Sequence, residues 1–141
     1  MIKCTVLIKR KPDMTLAEFN RYWTKKHGPL AMGVKDFICH IRKYVQSHRL
    51  PDKESGGMES HAVSQYDGIV ELWADSPAEL RKAFASKGYQ DVIRPDEKNF
   101  CDDAEGVIIM MTKDMVLKPK PRAAQKARGR RRTGKARGRA K

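Results

Sequence analysis

Residues 12–30 read Pro-Asp-Met-Thr-Leu-Ala-Glu-Phe-Asn-Arg-Tyr-Trp-Thr-Lys-Lys-His-Gly-Pro-Leu, and their spacing decides how the rest of the chain is read. Thr15 followed three residues later by Glu18 is a capping box, in which hydroxyl and carboxylate each accept from an otherwise orphan backbone N–H, so a helix starts there. Gly28 can take the left-handed conformation that closes a helix and Pro29 cannot continue one, which places the last helical side chain at His27. Between these ends Leu16, Phe19, Trp23 and His27 recur at helical spacing with Tyr22 beside them. An imidazole therefore stands where a hydrophobe normally would. Two readings are open: a buried histidine bonded to a backbone carbonyl, or a proton-transfer residue. The helix C-terminus favours the imidazolium and burial favours the neutral ring, and two opposed effects of this kind can tune the group near neutrality.

Working outward, residues 2–9 hold a short β-rich run and form a first strand. Residues 37–50 form a second. One parity of it carries Cys39, Ile41, Val45 and Ser47, and the other His40, Arg42, Tyr44, Gln46 and His48. That polar face either meets water or, if the sheet closes against a partner, lines an enclosed space containing two histidines and a tyrosine. Residues 51–66 lack periodicity and are rich in turn formers, giving a long loop with His61 exposed and the potential to act as a lid. Residues 67–74 are a third strand with Ile69, Glu71 and Trp73 on one face and Val70 and Leu72 on the other. Glu71, an acid within an apolar strand, is either paired at the surface or a raised-pKa acid or base inside a cavity.

Ser76, Pro77 and Glu79 start a second helix that runs to residue 86 or 87 with Leu80, Ala83, Phe84 and Lys87 on one stripe, ended by Gly88. Residues 89–100 form a helical piece broken by Pro95. Residues 106–113 make a last strand, apolar enough to be buried on both faces. The order strand, helix, strand, strand, helix, strand is the ferredoxin-like βαββαβ arrangement, α+β, with a four-stranded antiparallel sheet covered by helices on one side only. Its other face is expected to carry Trp73, Tyr44 and mixed polar groups, which a homodimer would cover.

Charge divides the chain in two. Of 30 Lys and Arg residues, 12 lie in residues 118–141, which hold no acid, and the other 117 residues balance at +1. Residues 1–117 are read as one domain and residues 118–141 as a disordered basic tail. Arg128, Arg130, Arg131, Arg132, Lys135, Arg137 and Arg139 could bind nucleic acid without sequence preference, since no aromatic residue is interleaved to stack on bases; a merely solubilising extension is the other reading. Three cysteines with no paired spacing suggest reduced thiols in a cytoplasm. The N-terminal apolar run is too short for a signal peptide, and no run approaches the length of a membrane span. There is no phosphate-cradling loop, nucleophile elbow, zinc-protease helix motif or dinucleotide fingerprint, which argues against those classes and leaves a site with no cofactor and no metal.

Lys9 through Thr15, then Phe19, Tyr22-Trp23 and His27-Gly28-Pro29-Leu30, resemble the opening signature of the EthD-like family, and residues 96–102, Asp-Glu-Lys-Asn-Phe-Cys-Asp, resemble a later part of it. The resemblance ends before the tail. It implies a dimeric α+β barrel on a scaffold that also serves isomerases, cyclases, decarboxylases and dehydratases, with an association with oxidative degradation of organic compounds. In the related methylmuconolactone isomerase family, a histidine ending the first helix and a tyrosine on the second strand belong to the proposed site, and His27 and Tyr44 hold the matching places. The resulting expectation is a proton-handling site using His27, Tyr44, Glu71 and His40, with Phe19, Tyr22, Trp23, Trp73 and His48 around a small apolar, aromatic, polyketide-like or lactone ligand. A protein that binds such a ligand without transforming it, or that accompanies an oxygenase, is the alternative.

Overall fold

The computed structural model describes residues 1–56, 65–103 and 107–118. Four strands, β1 (Ile2–Ile8), β2 (Lys43–His48), β3 (Gly68–Ala74) and β4 (Ile108–Thr112), lie in the order β2-β3-β1-β4, every neighbour antiparallel. Helical segments α1 (Leu16–Tyr22), α2 (Gly28–Gly33), α3 (Lys35–Ile38), α4 (Asp52–Ser55), α5 (Pro77–Ala85) and α6 (Arg94–Glu97) complete the described residues, with a π-helical turn at Trp23–His27 and another at Tyr89–Ile93. This is the ferredoxin-like α+β fold. The main core joins Cys4, Leu72 and Ala74 of the sheet to Phe37, Leu80 and Ile93, and a second cluster stacks Phe19, Trp23 and Phe100. Each fully buried ring of this size contributes roughly 2–3 kcal/mol relative to exposure.

The capping box forms as expected: Thr15 Oγ1 accepts from the Glu18 N–H at 3.2 Å, and Glu18 Oε2 accepts from the Thr15 N–H at 2.9 Å. The helix does not end at Gly28, however. Gly28 has a helical φ of −56°, and the chain remains helical to Gly33, where extended Val34 stops it. A proline ring inside a regular α-helix strikes the carbonyl four residues back and lacks a donor. Here the turn before it is widened, with the Gly28 N–H reaching Trp23 O five residues back. The same device recurs in the other half, where the Arg94 N–H bonds Tyr89 O just before Pro95. The helix over residues 89–97 is thus carried through Pro95 and not broken by it.

These wide turns also aim side chains. Phe19, Trp23, His27 and Ala31 are spaced by four and are all buried. In a regular helix at about 100° per residue, three such steps would drift about 120° around the axis; the wider π turn keeps them on the side facing the sheet. Tyr89, Ile93 and Glu97 repeat that spacing across the second π turn.

Three further features differ from the sequence reading: a strand boundary, a helix end and the burial of the last strand. Residues 37–41 are not strand: Phe37 is buried on α3, stacked on Tyr89 with centroids 5.6 Å apart, and β2 begins at Lys43. Helix α5 stops at Ala85 and not at Gly88, with Ser86 extended. Gly88 instead allows a close approach of α3, since a Cβ there would overlap Val34 and Asp36. On β4, Ile108, Ile109, Met110 and Met111 are 46–58% exposed, so the strand is open on both faces: it is the sheet edge, and the helices of this chain do not reach over it. The expected loop contains the short α4, closed by Gly56 in the left-handed conformation, φ 65°. His61 lies outside the described residues, as do all the tail arginines and lysines from residue 119 onward, including Arg128, Arg130, Arg131, Arg132, Lys135, Arg137 and Arg139. Among the described residues no helix is long and apolar enough to cross a membrane.

Candidate functional site

The registers Lys3↔Trp73, Thr5↔Glu71 and Val45↔Glu71 put Lys3, Glu71, Trp73 and Val45 on the open face of the sheet, and Tyr44, Gln46, His48, Val70 and Leu72 on the face beneath the helices. Tyr44 and Trp73 therefore do not share a face, contrary to the sequence reading. The polar parity of β2 points into the chain's own interior, where the first helical segment meets it: the Trp23 ring packs on His48, Asn20 Oδ1 lies 2.9 Å from His48 Nδ1, and the Trp23 carbonyl accepts from Gln46.

Between sheet and helices lies a cavity of about 370 Å³, within the size range of small-molecule sites. Its walls are mainly apolar, from residues such as Val6, Ala31, Leu72, Phe84 and Ile93, with polar groups that include His27, Tyr44, Tyr89, Arg94 and Glu97, and with Lys9, Asp102 and Asp103 also on the lining. Gln65 and Tyr66, at the described end of the long loop, also reach it.

His27 is 5% exposed, and its Nδ1 lies 2.8 Å from Asp96 Oδ2. Its ring packs on Phe100 with centroids 4.8 Å apart. Asp96 is itself held, accepting from Tyr22 OH at 2.7 Å and from Asn99 Nδ2 at 3.3 Å. Burial alone would raise the Asp96 carboxyl, but the bonds from Tyr22, His27 and Asn99 outweigh it and hold the group below its ordinary value. A carboxylate at Nδ1 fixes the tautomer with the proton on that nitrogen. Nε2 is left as the basic nitrogen of a residue on the cavity wall, with no partner among the described residues. The bond goes to a carboxylate of the second half of the chain, not to a backbone carbonyl.

Tyr44 OH accepts from Gln46 Nε2 at 3.2 Å, and burial raises its pKa, so it stays a proton donor at neutral pH. Tyr89 is also raised, by burial and then by the charge of Glu97, to which its hydroxyl donates at 3.3 Å. Arg94 is committed to Glu97 at 2.8 Å and Asp103 at 2.6 Å. Cys101 borders the cavity, but burial and the Glu97 charge push its thiol up, which removes thiolate character.

The nine body residues singled out from sequence separate into three groups. His27, Trp23 and Tyr44 line the cavity together. Phe19, Tyr22 and His48 stand behind them: Phe19 lies 5.5 Å from the Trp23 ring, Tyr22 holds Asp96, and His48 lies 4.3 Å from the other side of Trp23 while its Nδ1 bonds Asn20 Oδ1 at 2.9 Å. His40, Glu71 and Trp73 lie elsewhere. His40 follows α3 rather than sitting on β2 and pairs with Glu79 at 2.7 Å, Glu71 pairs with Lys3 at 2.9 Å on the open face, and the Trp73 indole donates to Asp114 at 3.0 Å there. The sequence reading missed Asp96, Asn99, Tyr89, Arg94 and Glu97. Among the described residues no three His, Cys, Asp or Glu side chains gather as a metal site.

The EthD domain family model matches residues 11–104. Among solved structures, an EthD family protein from Bacillus halodurans is 18% identical with a TM-score of 0.57, the match covering 82% of this chain and 99% of that one. An EthD-like protein from Ralstonia eutropha is 19% identical with a TM-score of 0.57, over 83% of this chain and 94% of that one. A protein from Thermobifida fusca described as dimeric, ferredoxin-like and of unknown function is 12% identical with a TM-score of 0.53, over 78% and 87%. Compared with curated protein sequences, the chain has no match.

Proposed function

We propose that this chain, which belongs to the EthD domain family, is a small cofactor-independent enzyme that moves a proton on an aromatic, polyketide-like or lactone substrate. The observation that carries the reading is the buried His27, oriented by Asp96 at 2.8 Å on the wall of a largely apolar cavity. Such a pair is built to take a proton and to steady the resulting imidazolium, an arrangement worth on the order of 10²–10⁴ in rate. In the step proposed, a C–H beside a carbonyl gives its proton to His27 Nε2, and the electron pair moves onto the carbonyl oxygen as an enolate. Return of the proton at another carbon is isomerisation or cyclisation, and expulsion of a leaving group from the next carbon is a lyase reaction. Tyr44 is proposed as the matching acid.

The active form is proposed to be a homodimer in which two open sheet faces pack together. The exposed Ile69 and β4 side chains support this, and so does the description of structural relatives as dimeric. Residues 1–117 are proposed to be the catalytic domain and residues 118–141 a separate basic tail available to nucleic acid. Three free cysteines suit a reducing cytoplasm. A role beside an oxygenase in oxidative degradation fits the same cavity.

The test is hydrogen–deuterium exchange. The full-length protein is incubated in D₂O with aryl methyl ketones, β-keto acids and unsaturated lactones, and loss of the acidic C–H signal is followed by NMR. At least one class is expected to exchange faster than background, and His27→Ala to return it to background while keeping the folded circular dichroism spectrum. Unchanged exchange in that variant removes His27 from the mechanism. A compound that binds without exchanging supports the ligand-binding alternative.

A further inference from the structure

Beside the candidate base, one buried donor is incompletely met. Trp23 is 0% exposed and lines the cavity, and its Nε1–H is turned toward the Tyr44 hydroxyl oxygen, which it does not approach closely enough for a full hydrogen bond; no other acceptor meets it among the described residues. A buried N–H left without a full hydrogen bond costs up to about 1–3 kcal/mol, and most such groups in folded proteins are paired. The ring cannot turn to find a partner in the protein. Its six-membered edge lies against Gly68, where Cη2 is 2.8 Å from the place a Cβ would take, and Phe19 and His48 stand against the ring.

The neighbouring hydroxyl is in a similar position. Gln46 Nε2 donates to both Trp23 O at 3.3 Å and Tyr44 OH at 3.2 Å, while Gln46 Oε1 lies 3.2 Å from His48 Nε2. Because the Trp23 carbonyl can only accept, the end of the Gln46 amide that faces it and Tyr44 is the nitrogen, so the phenol accepts there and its own proton has no protein acceptor among the described residues. Trp23 and Tyr44 thus bring two adjacent, incompletely bonded donors to one cavity, fixed in place by residues that do not themselves face it.

We infer that the Trp23 indole N–H and the Tyr44 hydroxyl form a two-donor seat for a single oxygen of the ligand, a carbonyl that becomes an enolate. The ligand class is then a flat apolar compound carrying a hydrogen-bond-accepting oxygen, with the carbon beside that carbonyl presented to His27. Recognition of the oxygen stands on the two donors, and the role of the adjacent carbon rests on the proton-transfer reading above. Donors held in advance in a water-poor cavity strengthen their hold as charge develops on the oxygen, which is where catalysis gains most. The step needs no oxidant or second reactant: the carbon's proton goes to His27 and its electron pair to the seated oxygen.

The experiment compares two probes of the same shape, 2-acetylnaphthalene and 2-ethylnaphthalene, by calorimetry on the full-length protein. The ketone is expected to bind roughly tenfold more tightly than the hydrocarbon. In Trp23→Phe and in Tyr44→Phe that preference should shrink toward unity, even where both probes bind more weakly because the pocket has changed shape. Indole resonances in ¹⁵N-labelled protein give a second readout that needs no variant. The ketone should move the Trp23 indole proton downfield and leave Trp73, bonded to Asp114 on the opposite face, where it was. Equal affinity for the two probes in the unaltered protein, or an undiminished preference in both variants, overturns the seat. His27→Gln should keep the preference while losing deuterium exchange. A protein that prefers the ketone but exchanges nothing retains the seat and loses the proton-transfer reading, and one that exchanges without preference does the reverse.

Discussion

Gly68→Ala is the sharpest test of how the cavity wall is packed. Gly68 begins β3 on the helix-facing side, in register with Ile8 and His48. A Cβ added there would overlap Trp23 Cζ3, sit 2.8 Å from Trp23 Cη2 and lie 3.2 Å from the Ser47 carbonyl. The indole can yield only toward the cavity, since Phe19 and His48 stand against it and it is closed off from solvent. Overpacking of this kind costs about 1–3 kcal/mol, and alanine returns roughly 0.5–1 kcal/mol by restricting the unfolded chain. The net expectation is a loss of about 1–2 kcal/mol, read by urea unfolding at fixed protein concentration, with Tm lower by roughly 5–12 °C. The decisive comparison is Gly68→Ala in a Trp23→Phe background, where the second ring that carries both clashing atoms is gone. There the substitution should fall within about 0.5 kcal/mol of neutral, a coupling of about 1–2 kcal/mol. The same cost in both backgrounds would refute the claim that the glycine exists to admit the indole.

Three further outcomes follow from the geometry. Thr15→Ala removes one half of the capping box and should lower stability by about 0.5–2 kcal/mol in urea without altering ketone-probe affinity, since the cap lies at the far end of the helix from His27. Asp96→Asn should slow deuterium exchange at neutral pH and destabilise the fold. Because the Asp96 pKa is depressed in the folded state, its contribution is present above the unfolded value of about 3.9 and fades as pH falls below it toward the folded value. The stability gap between parent and variant should therefore close across that acidic window in unfolding curves, and a gap that widens there would contradict the assignment. Deleting residues 118–141 should abolish salt-sensitive retention on heparin or duplex DNA while leaving probe affinity unchanged; retention that survives the deletion would place the nucleic-acid surface on the folded domain.

Element order was legible because it rests on caps and periodicity: Thr15 with Glu18 and Ser76 with Glu79 mark the helix starts, and each strand carries its β-rich run. Single-sequence reading failed at places that depend on another part of the chain. Pro29 and Pro95 look like stop signals unless the five-residue turns before them are known. Phe37 and His40 belong to no strand because Phe37 is drawn into a ring cluster with Phe84 and Tyr89 from the second half. Parity grouped the residues of β2 and β3 into faces without saying which face the helices cover, so Tyr44 and Trp73 were joined when the sheet separates them. Asp96 could not be seen as the partner of His27, since 69 residues intervene. Its signals were its place directly after Pro95 and at the head of the 96–102 run that resembles the EthD-like pattern, and the four-residue spacing of Tyr89, Ile93 and Glu97, echoing that of Phe19, Trp23 and His27, was there to be read as a second helix of the same kind.

Seen as a matter of chain length, each π turn is one residue more than an α-helix would spend on the same rise. Removing a single lysine from Lys25-Lys26 would restore the tighter winding without touching any residue of the cavity. Along the shortened chain the steps from Phe19 to Trp23, to His27 and to Ala31 would be four, three and four residues, and at about 100° per residue they would end about 20° from where they began, still on the cavity side. The cost would fall on Pro29, whose ring would meet the carbonyl four residues back in the narrowed helix. The extra residue therefore serves the proline more than the histidine: a relative shorter by one between its tryptophan and histidine should keep its base in the cavity and carry a residue other than proline after the glycine.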